Sequence, residues 1–203
     1  MKLKGVIIVI CLYPILTSLS CEEEICDTGN NYSFELKIKA YPDKDTVEIG
    51  DTIFFEIDHP TVFRDQISGT EVDYSEAAGL GTVISIIRIT ERGKSTDAAN
   101  EFNYVVLNGT QIGSIIPELG RKYLFFEQND RYQFRIGVLP KQKGIYKAVF
   151  AKAANIYRYP DQCTRAGFSI NFAETDQHLY LNKVLAPDVD LPPGGGVYLF
   201  TVD

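Results

Sequence analysis

The chain has 203 residues, of which 45% are hydrophobic and 12% aromatic, a composition typical of a folded globular protein. Its formal net charge is −7, and it becomes about −9 without residues 1–20, which hold two lysines and no acid. An acidic chain without a basic cluster has no electrostatic footprint for nucleic acid, so that class of partner is excluded.

The first twenty residues have the layout of a secretory leader. Lys2 and Lys4 precede an apolar run from Val6 to Leu16, and a tail of small and polar residues follows. The apolar run is shorter than the about 20 residues that a membrane-spanning helix needs. The sequence therefore predicts export, with residues 1–20 removed as a signal peptide.

Cys21 stands between the tail of the leader and three consecutive glutamates. This arrangement resembles a bacterial lipobox, and the acidic run resembles the surface-export signal of Bacteroidota lipoproteins. The resemblance implies that Cys21 is lipidated and that residues 21–31 form an acidic tether. It also implies an outer membrane location at the cell surface, with the periplasmic face as the alternative. More than one acyl chain makes such an anchor stable. A soluble secreted protein remains the other possibility.

Two of the four cysteines remain for the folded body of the chain, since Cys11 lies in the leader and Cys21 is the lipid candidate. Cys26 and Cys163 would meet in an oxidising compartment, where disulfides persist. We expect them to pair, which would add about 4–5 kcal/mol in the chain-entropy model because the closed loop is long. Two free thiols are the alternative.

The rest of the chain alternates between apolar and polar residues in short runs separated by turn residues, the pattern of β-strands. The predicted strands cover residues 32–41, 46–58, 62–68, 70–74, 82–90, 102–107, 110–116, 122–127, 132–139, 145–152, 167–173 and 197–202. Asn108-Gly109 and Asn129-Asp130 each predict a hairpin. Residues 154–167 read as a long loop, and Thr175 to Leu185 as one helix capped by Thr175.

The segment from Pro42 to Ile57, PDKDTVEIGDTIFFEI, resembles the first hairpin of many bacterial extracellular immunoglobulin-like domains. Together with the strand pattern, this predicts an all-β fold over residues 32–203. We expect an antiparallel immunoglobulin-like β-sandwich, enlarged with long loops and one short helix. Two small domains divided near Gly93 are the alternative.

The sequence contains none of the common catalytic motifs, and its two histidines, His59 and His178, lack metal-binding spacing. Both histidines are expected to be surface or packing residues. Two acidic groups could offer oxygen atoms to calcium but lack the spacing of a calcium loop, so solvated turns are expected. These groups are Asp43, Asp45 and Glu48, and Asp176, Asp188 and Asp190. The sequence thus predicts no catalytic residue, no metal and no cofactor.

Tyr157, Arg158 and Tyr159 are the strongest candidates for a binding surface. Two aromatic rings and a planar cation stand together beside a proline, and such residues are enriched in binding hot spots. The alternative is that the rings cover the core of the sandwich.

These features resemble, in general layout, the uncharacterised surface lipoproteins of Bacteroidota. We expect a lipid-anchored, non-enzymatic protein that binds or scaffolds a protein or glycan partner at the cell surface. One alternative is a structural accessory subunit of an envelope assembly, and another is a carboxylate-based glycan hydrolase. The identity of the ligand and the oligomeric state do not follow from the sequence.

Overall fold

The computed structural model describes residues 31–90, 94–113, 120–160, 163–172, 174–188, 191 and 193–203. The predicted signal peptide, Cys21 and Cys26 lie outside these residues, so the statements about them stay predictions. The described residues form seventeen β-strands, one α-helix and one 3-10 helix over Ala99–Glu101. Within these residues, no helix is both long enough and apolar enough to cross a membrane.

The strands run in chain order as follows. They are β1 (Asn31–Lys37), β2 (Lys39–Tyr41), β3 (Thr46–Val47), β4 (Ile53–Pro60), β5 (Val62–Arg64), β6 (Glu71–Asp73), β7 (Gly81–Ile89), β8 (Ser95–Asp97), β9 (Phe102–Asn108), β10 (Thr110–Ile112), β11 (Arg121–Leu124), β12 (Phe126–Gln128), β13 (Arg131–Pro140), β14 (Gly144–Phe150), β15 (Ala153–Tyr157), β16 (Arg165–Asn171) and β17 (Val197–Val202). The helix α1 is Tyr180–Leu185.

Two large sheets form the layers of the fold. One has the order β10-β11-β7-β14-β17-β3, with β8 also paired to β7. The other has the order β12-β13-β4-β2, with β9 also paired to β13. A smaller sheet, β1-β16-β15, and the hairpin β5-β6 complete the sheet structure of the described residues. The all-β, sandwich-like class predicted from the sequence is therefore confirmed, whereas its immunoglobulin-like character stays a prediction.

The core lies between the two large sheets because alternate residues of each strand point inward. In β4, Ile53, Phe55 and Ile57 are at most 1% exposed. Phe55 touches the opposite sheet, with its ring centroid 5.0 Å from that of Phe150 and 5.6 Å from that of Tyr198. Burying a side chain of this size contributes about 1.5–3 kcal/mol to folding.

One continuous cluster of buried residues runs from Phe34 to Val202 and includes strands from both sides of Gly93. The β1-β16-β15 sheet joins this cluster through aromatic rings. The ring of Phe34 lies 5.0 Å from that of Phe63 and 5.2 Å from that of Phe168. The β1-β16-β15 sheet, the β5-β6 hairpin and the two large sheets therefore share one main core.

Asn108-Gly109 does not form the predicted hairpin, because β9 pairs with β13 while β10 pairs with β11. The chain crosses here from one large sheet to the other. Gly109 has a φ of +104°, and a Cβ atom on it would lie 2.8 Å from the Leu124 carbonyl oxygen. The glycine thus serves a sheet-switching corner rather than a two-residue turn.

The second predicted hairpin is confirmed, since β12 and β13 pair in antiparallel fashion across Asn129-Asp130. Both turn residues have positive φ, 51° and 55°, as a type I′ turn requires. The chain crosses between the two large sheets a second time at Phe125, which separates β11 from β12. Predicted strands are therefore divided into shorter ones wherever the chain changes sheets.

Three further predictions need correction. Two strand pairs are parallel rather than antiparallel, β1 with β16 and β3 with β17. The predicted loop 154–167 contains most of β15 and the start of β16. The helix begins at Tyr180 rather than near Thr175, because the Asp176 carboxylate accepts the His178 amide at 2.9 Å and competes with helical hydrogen bonding. Thr175 instead accepts the amide of Ala40 at 3.2 Å.

Candidate functional site

Polar and aromatic side chains gather on the outer side of the sheet formed by β2, β4, β13, β12 and β9, which is called the open face from here on. Strand register arranges its residues in three rows across the sheet. The rows are Val105, Gly137, Phe54 and Tyr41; then Asn108, Arg135, Glu56 and Lys39; then Phe126, Gln133 and Asp58.

The first row forms an aromatic platform. Gly137 makes room for it, since a Cβ atom there would lie 2.9 Å from Thr52 Cγ2 and 3.3 Å from Phe54 Cε1. Tyr41 stacks on Phe54 with centroids 5.2 Å apart and an interplanar angle of 22°. Both rings are half-buried, so this platform is held in place by packing as well as by stacking.

Arg135 lies over the platform and connects it to the second row. Its Cζ atom is 5.1 Å from the centroid of Phe54 and 5.3 Å from that of Tyr41, within cation–π range. Its Nε atom is 3.5 Å from Glu56 Oε2 and has no hydrogen-bond partner. The guanidinium is therefore positioned by two rings and a carboxylate, while the Arg135 side chain as a whole stays 42% exposed.

Glu56 is shared between Arg135 and Tyr41, whose hydroxyl donates to Glu56 Oε2 at 2.9 Å. Burial raises the pKa of Tyr41, and its hydrogen bond to the Glu56 carboxylate acts in the same direction. Tyr41 therefore stays a neutral hydrogen-bond donor at physiological pH.

Asp58 anchors the third row. Arg131 Nε lies 2.6 Å from Asp58 Oδ1, and Gln133 Nε2 donates to the same oxygen at 3.5 Å. The hydrogen bond from Arg131 lowers the pKa of Asp58. At the margin of the face, Lys39 Nζ lies 2.6 Å from Glu174 Oε2 and lowers the pKa of that carboxyl in the same way.

Two clefts adjoin on this face and share Glu56 and Asp58. One has a volume of about 290 Å³ and the other about 170 Å³. The larger is lined by Lys37, Lys39, Glu56, Asp58, His59, Arg131 and Glu174. Its three basic and three acidic residues balance one another, so the cleft offers many donors and acceptors with little net charge.

The predicted binding residues lie elsewhere, at the end of β15. The rings of Tyr157 and Tyr159 meet edge to face with centroids 5.7 Å apart, and Tyr159 is 55% exposed. Arg158 points back into the protein, where Nη1 donates to the Asp73 carbonyl at 2.5 Å. Tyr157 and Tyr159 thus remain available at the surface, while the guanidinium of Arg158 holds β15 to the end of β6.

Cys163 lies between β15 and β16 and is half-buried. Its predicted partner, Cys26, is outside the described residues, so their pairing stays a prediction. The lipidation predicted for Cys21 stays a prediction for the same reason.

His178 is a packing residue, with a side chain only 8% exposed. Its Nε2 atom lies 3.3 Å from Asp43 Oδ1, and its Nδ1 atom lies 3.6 Å from Asp176 Oδ2. The structure thus joins members of the two acidic groups noted in the sequence. Within the described residues, no three His, Cys, Asp or Glu side chains are placed to hold a metal ion. His59 stacks on Phe63, with centroids 4.4 Å apart.

The open face was missed in the sequence, although its signal was present. The polar residues of β4 and β13 alternate with buried ones at period two, giving Glu56 and Asp58 on one strand and Arg131, Gln133 and Arg135 on the other. Acids on one strand and bases on a second indicate neighbouring strands with facing charges. Their register, however, depends on pairing that the sequence alone does not specify.

Comparison with known proteins gives no assignment: no family model, no curated protein and no solved structure matches this chain.

Proposed function

We propose that the chain is a lipid-anchored cell-surface protein that binds a neutral, hydroxyl-rich glycan on its open face. The observation that carries the proposal is the arrangement of Arg135, Glu56 and Asp58 beside the Tyr41–Phe54 platform on rigid strands. Such a face combines ordered donors, ordered acceptors and an apolar surface, which is what a sugar with hydroxyl groups and C–H faces requires.

Charge balance favours a neutral ligand over a charged one. The three bases of the larger cleft are matched by three acids, and two of these bases, Lys39 and Arg131, are already paired with acids at 2.6 Å. A strongly charged ligand would have to compete with these ion pairs, whereas hydroxyl groups can donate to the carboxylates and accept from the bases. This supports a glycan rather than an acidic or basic peptide.

The carboxylates of this face support binding more than hydrolysis. The pKa values of Asp58 and Glu174 are lowered by their basic partners. A general acid in a glycosidase needs a raised pKa instead. These two groups are therefore suited to accept hydrogen bonds, and the hydrolase alternative gains no support from them.

Titration calorimetry with a panel of neutral and uronic-acid oligosaccharides tests the proposal. We expect a neutral oligosaccharide to bind and Arg135→Ala to weaken its affinity at least tenfold, because the guanidinium both contacts the ligand and orders the platform. Arg121→Ala is the matched control, since Arg121 belongs to β11 of the other large sheet and also lies over an aromatic ring, with its Cζ atom 4.4 Å from the ring centroid of Tyr104. Absence of binding across the panel, or equal effects of the two variants, would refute the proposal.

The membrane anchor is a separate part of the proposal, and it rests on the leader and Cys21. Labelling cells with a radioactive fatty acid tests it: the wild-type chain should take up label and Cys21→Ala should not. Label retained by Cys21→Ala would remove the anchor. Counting free thiols on the unfolded, unreduced protein tests the Cys26–Cys163 bridge, which two reactive thiols would exclude.

The alternative function, an accessory subunit of an envelope assembly, is favoured by one observation, an edge of β9 that no other described strand covers. Affinity capture of the intact protein from its native membrane, followed by mass spectrometry, distinguishes the two functions. Other proteins recovered at a fixed ratio would support the accessory role, whereas capture of this chain without them would support the glycan-binding role.

A further inference from the structure

Strand β9 has an edge that no other described strand covers. It runs for seven residues and pairs with β13 along one side only. From Phe102 to Ile112 the chain has no charged residue and no proline. Natural proteins commonly protect a sheet edge with lysine, proline, a bulge or a covering segment. A register shift at Arg135/Ile136 affects one end of β9, which leaves Phe102 to Val106 in regular pairing.

The edge of β1, a strand of equal length, shows the usual protection. The Asp65 carboxylate accepts the amide of Ser33 at 2.9 Å, and the amide of Gln66 donates to the Ser33 carbonyl at 2.8 Å. The segment between β5 and β6 therefore occupies the edge of β1 that β16 leaves free. Among the described residues, the edge of β9 lacks the backbone cover that the edge of β1 has.

Apolar side chains accompany the bare edge. Val105 and Leu107 of β9 are 48% and 53% exposed, and Phe126 of β12 is 46% exposed. β9 and β12 lie along the same side of β13, so these side chains border one margin of the open face. An exposed apolar border beside unpaired backbone groups is the composition of a strand-pairing interface.

We propose that β9 pairs in antiparallel fashion with β9 of a second copy of this chain. A second copy is favoured over a foreign strand because two uncharged edges meet without like-charge contacts, although each chain carries a net charge of −7. Antiparallel self-pairing places the two-fold axis perpendicular to the sheet. The open faces of both copies then lie on the same side of one continuous sheet.

This dimer would extend the proposed ligand site. Val105 lies in the same row as Gly137, Phe54 and Tyr41, so self-pairing near Val105 brings the two aromatic platforms into line across the axis. This consequence rests on the proposed function, whereas the pairing itself does not. Each copy would contribute one platform to a surface suited to a long glycan rather than a single short one.

The interface is small. A stable complex commonly buries about 800 Å² on each partner, and a single seven-residue strand with two exposed apolar side chains, plus Phe126 of β12 beside it, offers less. We therefore expect a weak, concentration-dependent dimer, which confinement of anchored chains to a membrane surface would strengthen.

Sedimentation velocity of the full chain over a range of concentrations, in a density-matched detergent, tests the pairing. The wild-type chain should dimerise, and Val105→Lys should raise the dissociation constant at least tenfold, because two lysines would meet near the axis. Ile67→Lys is the matched control, since Ile67 is 74% exposed and lies in the turn between β5 and β6. It should dimerise like the wild type.

A monomeric wild-type chain at every concentration, or a dimer unaffected by Val105→Lys, would overturn the inference. Leu107→Lys takes the place of Val105→Lys if circular dichroism shows that the latter is unfolded. A short oligosaccharide separates this inference from the proposed function. If Val105→Lys binds the short oligosaccharide with wild-type affinity, the open face binds in each copy whether or not the copies pair. If neither the wild type nor the variant binds it, the result counts against the proposed function alone.

Discussion

The two large sheets expose very different outer sides. The outer side of the β14/β17 region is covered by α1, where Leu181 packs with Ile89 and Leu199 in a second small core. The open face has no such cover among the described residues, and its side chains are held by ion pairs and stacked rings instead. Covered apolar residues stabilise the fold, whereas uncovered polar residues on rigid strands are placed to contact another molecule. The difference therefore separates a side that stabilises the fold from the side that we propose as a binding surface.

Truncation beneath the helix should have the largest effect. Leu199 is fully buried, so Leu199→Ala should lower the free energy of unfolding by about 2–5 kcal/mol through lost burial and a cavity. Urea unfolding measures this. Val105→Ala on the open face is the matched control and should cost less than about 1 kcal/mol. If both variants lost a similar amount of unfolding free energy, the two outer sides would not differ in their contribution to stability.

At the protected edge of β1, loss of the Asp65 carboxylate should lower the free energy of unfolding by an intermediate, pH-dependent amount. Backbone amide donation from Ser33, followed by the Ser68 hydroxyl, lowers the pKa of Asp65 from 3.8 to about 2. A carboxyl with a depressed folded-state pKa stabilises the fold above its unfolded pKa, and that stability is lost as pH falls toward 2. Asp65→Asn should therefore be less stable than wild type at pH 7, with a gap that narrows between pH 4 and pH 2. Thermal unfolding across that range measures the gap, and a constant gap would contradict the assignment.

Filling the space under Phe54 should have a moderate effect. Gly137→Ala should cost about 1–3 kcal/mol because the new methyl group overlaps Thr52 and the Phe54 ring. Gly167→Ala in β16 is the matched control, since a Cβ atom there meets nothing within 4 Å. Denaturant titration compares them. Equal stability of the two variants would mean that the platform is not packed against Gly137.

Breaking an ion pair of the open face should have the smallest effect on stability. The side chains of Arg131 and Asp58 are 39% and 44% exposed, so Asp58→Asn should cost no more than about 1 kcal/mol, and less in high salt. The same variant should weaken glycan binding clearly. If Asp58→Asn instead lowered the free energy of unfolding by several kcal/mol, the ion pairs of the open face would be needed to stabilise the fold.

The sequence was a good guide to strands and a poor guide to their partners. The closing strand, Val197 to Val202, agrees with the structure at both ends, because alternating aromatic and aliphatic residues between loops leave few other possibilities. The hairpin predicted at Asn108-Gly109 is wrong, because the same dipeptide suits either a tight hairpin turn or a corner where the chain passes from one sheet to the other. What decides between them is the strand that each flank pairs with, and that is a long-range property.

The candidate site illustrates the same limit. Tyr157, Arg158 and Tyr159 are adjacent in sequence and so are readily predicted as a binding group, yet Arg158 donates a hydrogen bond to the end of β6. Tyr41, Glu56 and Arg135 are distant in sequence and meet only through the register of three strands. His178 likewise acquires Asp43 as a neighbour only when the chain returns to that end of the sheet. Local composition could not reveal these groupings.

The corner at Gly109 has a mechanical consequence, because the chain crosses between the layers there and again near Phe125. Each crossing is covalent, so tension applied to one layer is transmitted directly to the other instead of peeling them apart. If the protein is tethered to a cell at one end and holds a ligand on its open face, pulling on the ligand would load both sheets together.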